Sequence, residues 1–85
     1  MVIVKTSVYT VQKVFRLADD SAPTLDIAED LVCSLLKIHY NLHDFSVDYA
    51  GGWKWDILGE HGHIGIATVK HIEGVVVAPS IVRAD

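Results

Sequence analysis

One cysteine, Cys33, is all the thiol chemistry in 85 residues. It leaves no intramolecular disulfide and too few thiolates for a cysteine-rich zinc site. Long apolar runs are missing too: the longest, 1–4 and 75–79, fall far short of the ~20 residues that span a bilayer. The first residues carry neither the basic region nor the apolar core of a secretory signal. With the lone cysteine, this points to a cytoplasmic protein without a membrane segment. Basic residues are also scarce, seven Lys and Arg against eleven Asp and Glu, for a formal net charge of −4. Scattered along the chain, they offer no basic stripe for non-specific nucleic-acid binding.

Further absences bear on catalysis. The glycines at 51–52 and 59–65 do not open a helix, so they form no phosphate cradle. Neither Ser34 nor Cys33 sits in the strained turn that exposes a nucleophile. No catalytic residue and no cofactor is expected, and a non-enzymatic role is the simpler expectation.

What is present is an ordinary globular composition, 51% hydrophobic and 21% charged. A chain this short makes one domain, 1–85, and buries only about 60–65% of its extended surface. Its richest stretch is 53–66, W-K-W-D-I-L-G-E-H-G-H-I-G-I, which holds both tryptophans and two of the five histidines. Trp53, Trp55 and Ile57 alternate with Lys54 and Asp56, and alternation resumes after the turn Gly59-Glu60-His61-Gly62. That is the period of half-buried strands in a hairpin.

Residues 2–17 are rich in Val, Thr, Tyr and Phe and contain no Gly or Pro, so they read as strand, with a break expected near Thr6-Ser7. Tyr9, Val11, Lys13, Phe15 and Leu17 form the expected core face. The cluster 19–24 is a turn, and a helix follows from Thr24 or Asp26 to about Tyr40. Asp26 and Glu29 have capping-box spacing, and Ile27, Ala28, Leu31, Val32, Leu35, Leu36, Ile38 and His39 sweep one apolar arc. Phe45, Val47 and Tyr49 then alternate with polar residues up to Gly51-Gly52. Matching apolar faces selects a three-residue loop, 50–52, which would pair Tyr49 with Trp53 and Val47 with Trp55. By the same matching, Ile64 and Ile66 join the tryptophan face, leaving His63, Gly65, Ala67, Val69 and His71 opposite. A turn at Glu73-Gly74 and a short strand over 75–78 complete the pattern.

The resulting expectation is an α+β domain, with a single helix packed on one face of a mainly antiparallel four- to five-stranded sheet in the order β-α-β-β-β-β. The face away from the helix would carry Asp48, Lys54, Asp56, Leu58, Val69 and His71, more mixed than a purely solvated face. It is the expected interaction surface, for a protein partner or a homodimer. The leading expectation is a small acidic protein–protein interaction module acting by surface complementarity. Size and composition suggest an inhibitor or accessory protein of a phage or other mobile element. The alternative is a small metal-binding domain or metal-dependent enzyme. Its ligands would be His61 and His63, an H-x-H pair, with Asp56 and His71 as further candidates.

Overall fold

The structure, a computed structural model, describes residues 1–72. The expected strand over 75–78 lies outside the described residues. In chain order the elements are β1 (Val2–Val8), β2 (Val11–Leu17), α1 (Leu25–His39), β3 (Ser46–Gly51), β4 (Lys54–Gly59) and β5 (Gly62–His71). One five-stranded sheet, in spatial order β2-β1-β5-β4-β3, is antiparallel at every pairing. The α+β architecture with one helix on one sheet face is as the residue pattern implies. The element order is β-β-α-β-β-β rather than β-α-β-β-β-β, because the stretch 2–17 is a hairpin. Its turn falls at Tyr9-Thr10 instead of Thr6-Ser7, with Tyr9 at φ 54. A tyrosine in the left-handed region is uncommon, so no Gly, Asn or Pro marks the reversal. None of the helices among the described residues is long and apolar enough to cross a membrane.

Thr24 caps α1, its Oγ1 accepting from the Ile27 amide at 3.3 Å. The Asp26–Glu29 pair therefore does not act as the capping box. Glu29 instead accepts a hydrogen bond from the Trp55 indole nitrogen at 3.1 Å. Ala28, Val32, Leu35 and Leu36 form the buried seam of the helix. That seam is narrower than the expected arc, for Ile27 is 45% and Ile38 72% exposed. A single helix over a sheet touches it along one line, and residues on the flank of the apolar arc look sideways into solvent. His39 is exposed at the helix end with its ring 4.8 Å from that of Phe15. At the C-terminal end, the Tyr40 hydroxyl shares a 2.8 Å hydrogen bond with Thr6 Oγ1 and donates to the Val11 carbonyl at 3.1 Å. These bonds tie the helix end to the first hairpin and satisfy Thr6, a buried polar side chain.

The core lies between α1 and the sheet face that carries Val2, Val4 and Val8 of β1, Trp55 and Ile57 of β4, and Ala67 and Val69 of β5. Trp55 is 1% exposed, as its alternation implies. Lys13, Phe15 and Leu17 turn their partly covered side chains to the same face.

Two expected registers are corrected. Tyr49 pairs with Trp55 and Val47 with Ile57, two residues on from the pairing the three-residue loop implied. The loop is a two-residue turn, Gly52-Trp53, with φ 59 and 58, and Ala50 is an extra residue that shifts the ladder. Two positive φ values suit the twist of a tight hairpin, and the extra residue returns the apolar side chains to the core face. The second correction concerns β5, where Ala67 and Val69 are buried and Ile66 lies on the open face. A register shift after Ile57 pairs Leu58 with His63 and Ile57 with Gly65, leaving Ile64 unpaired between them. One extra residue reverses the facing of everything beyond it. At Gly65 a Cβ would overlap the Ser7 carbonyl, so glycine is what lets β1 come alongside.

Candidate interaction surface

With α1 on one side, the other side of the sheet is defined by the ladder. Across β2, β1, β5 and β4 runs the row Val14, Lys5, Thr68, Lys54. One step along the strands lies Arg16, Ile3, Lys70. One step the other way come Gln12, Ser7, Ile66, Asp56 and, on β3, Asp48. Leu58 and His63 follow beyond Asp56. Four cations thus collect at one end of this open face and two carboxylates at the other. The seven Lys and Arg residues are dispersed in sequence, and strand pairing brings four of them together. Among the described residues, no Lys or Arg lies within 4.0 Å of a carboxylate oxygen. Ile3 is half-buried between Arg16 and Lys70, Ile66 beside Asp56 and Leu58 beyond it, and Val14 is 46% exposed.

A depression of ≈ 670 Å³ opens at the basic end, lined by Lys5, Lys54, Lys70, Trp53 and the Gly51-Gly52 backbone. Ideal Cβ atoms at either glycine would meet nothing within 4 Å, so the turn itself stands clear. The Trp53 ring makes T-shaped contacts with Trp55 and His71, at centroid distances of 6.3 and 4.7 Å. At the other end of the sheet a ≈ 440 Å³ hollow is lined by Tyr9, Leu42, Asp44, Glu60, His61 and His63.

Of the expected interaction residues, Asp48, Lys54, Asp56 and Leu58 share the open face. Val69 does not, being 5% exposed beneath the helix. His71 pairs with the buried Val2 and so turns toward the helix side. There its Nε2 is 2.8 Å from the Ala22 carbonyl. Both corrections follow from the shift in β5, which reverses the facing of its residues after Ile64. His63, set opposite Leu58 by the Gly59–Gly62 hairpin, reaches the neighbouring Asp56, with Nε2 to Oδ1 at 3.1 Å. The expected metal ligands are otherwise dispersed: His61 extends into solvent, 3.9 Å from Glu60, and His71 is on the opposite face. Among the described residues no group of three or more His, Cys, Asp or Glu side chains is arranged to hold a metal ion.

Cys33 is half-buried on α1, and burial pushes its thiol pKa up, with the nearby Glu29 carboxylate adding to the effect. A raised pKa keeps sulfur as the thiol at neutral pH, the opposite of an activated nucleophile. Ile3, Val14, Arg16 and Lys70 were missed as surface residues by sequence reasoning, since each belongs to the face only through its cross-strand partners. The internal Gly65 was the available signal for the shift that places the rest. Comparison with protein-family models, with curated proteins and with solved structures finds no match for this chain.

Proposed function

We propose that the protein is a protein–protein interaction module whose docking surface is the open face of the sheet. One observation carries this reading: Ile3, Leu58 and Ile66 lie among cations and carboxylates that are separated to the two ends of the same face. Stable interfaces combine an apolar centre with a charged rim that sets orientation and excludes wrong partners. Rigid strands hold these side chains at fixed spacing, so the face is preorganised. An inhibitor or accessory protein of a phage or other mobile element would work in this way, by occupying a partner's surface without chemistry of its own.

The test is affinity capture from the native host with the wild-type chain and with Leu58→Arg, whose fold is verified by circular dichroism. A partner retained by the wild type and lost from Leu58→Arg is expected. A partner captured equally by both, or lost instead on Ile38→Arg at the exposed side of the helix, would overturn the proposal.

A further inference from the structure

We infer that the basic end of the open face receives an acidic, extended polypeptide segment of the partner. This deepens the docking-face reading and rests on it. Lys5 and Lys54 flank Thr68 on its two sides, and Arg16 and Lys70 flank Ile3 in the neighbouring row. Adjacent strands are ~4.8 Å apart and alternate residues ~6.7 Å apart, so each pair spans about 10 Å and the two rows, offset by one strand, together cover about 14 by 7 Å. An extended peptide repeats its same-side residues at that ~6.7 Å spacing. A segment with carboxylates at alternate positions, crossing β5 and β1 obliquely from Thr68 to Ile3, brings one toward each pair of cations.

Charge complementarity selects this occupant over the others. The face carries four cations against Asp48 and Asp56, on a chain whose total formal charge is −4. Stacking the open face antiparallel on that of a second copy sets four cations against only two carboxylates at each end and leaves positive charge unpaired, which a segment of several carboxylates does not. A single-stranded nucleic acid needs aromatic platforms for its bases as well as cations. The open-face residues of the described strands include no Phe, Tyr or Trp, their single imidazole, His63, lies at the acidic end bonded to Asp56, and Trp53 beside the depression packs against Trp55 and His71. None of the four cations lies within 4.0 Å of a described carboxylate oxygen, so no described carboxylate has to be displaced when the segment binds.

Fluorescence anisotropy with a labelled oligoglutamate peptide tests the inference, beside a labelled oligodeoxythymidylate of equal charge. The expected result is saturable peptide binding at low salt, tighter than that of the oligonucleotide. It should weaken about tenfold or more in the exposed double variant Lys5→Glu, Lys70→Glu and stay unchanged in Lys37→Glu on the helix. Tighter oligonucleotide binding, equal loss in Lys37→Glu, or no saturable peptide binding would each overturn it. So would a wild-type dimer, seen by light scattering, that the double variant abolishes. The two readings fail separately. If Leu58→Arg loses the native partner and the double variant keeps it, the docking face stands and the acidic segment falls. If the peptide result holds while Leu58→Arg keeps its partner, the broader face falls and the basic site remains.

Discussion

Trp55 shows how much one side chain can hold in a domain of this size. Its ring is closed off from solvent, packs 5.2 Å from Tyr49 and 6.3 Å from Trp53, and ends on the Glu29 carboxylate. Glu29 therefore belongs to the helix–sheet contact although it sits on the polar arc. Truncating a large buried aromatic costs ~3–5 kcal/mol, against a total stability of roughly 5–10 kcal/mol for so short a chain. Trp55→Ala is expected to lose about half or more of the stability, read by circular dichroism as a melting temperature lowered well below that of the wild type. Retention of the wild-type melting temperature would contradict its place at the centre of the core. This residue was legible from the sequence because alternation over 53–57 separates the core face from the solvent face without any tertiary knowledge. Its polar partner was not, since a contact between residues 29 and 55 leaves no periodic trace.

At the scale of elements, legibility followed the turn chemistry. The helix ran within a residue or two of its expected limits, and the Gly59–Gly62 reversal fell where its glycines put it. The first hairpin was hidden because its turn uses Tyr9-Thr10, and β5 was reversed beyond Ile64 because of one unpaired residue. Short alternating segments reveal faces well and insertions of one residue poorly, since the pattern resumes on either side. Gly65 is where this can be tested. A methyl group there meets the Ser7 carbonyl of the adjoining strand, and backbone cannot move aside as a flexible side chain would. Gly65→Ala should destabilise by ~1–3 kcal/mol, read as a lower chemical-denaturation midpoint with an unchanged slope. A midpoint equal to the wild type would mean that β1 and β5 lie farther apart than this.

For the whole molecule, the α+β class followed from one helical and several strand-like segments. The neighbour order β2-β1-β5-β4-β3 did not, because pairing of the first strand with the last described one is a long-range choice among many. The candidate surface depended on that order: Lys5, Arg16, Lys54 and Lys70 become neighbours only through it. The same order sets a gradient of local stability. Among the described residues β1, β5 and β4 have strands on both sides, while β2 and β3 are each paired on one side. Native-state hydrogen exchange should be slowest in β1, β5 and β4 and markedly faster at the outward amides of β2 and β3. Protection of the β2 edge equal to that of β5 would show that something covers it.

The seam between β1 and β5 also has a consequence in time. Val2 is matched with His71 and Val8 with Gly65, so the middle of the sheet joins segments some sixty residues apart. As the chain emerges from the ribosome, β1 is made early and its partner late. Until residue 71 has been synthesised, the β1 backbone has one ladder unfilled and its three core valines have no β5 neighbour. Closure then carries a large loop entropy and comes after the local hairpins. A nascent chain that stalls within β5 would expose a valine-rich edge able to pair with another unfinished chain.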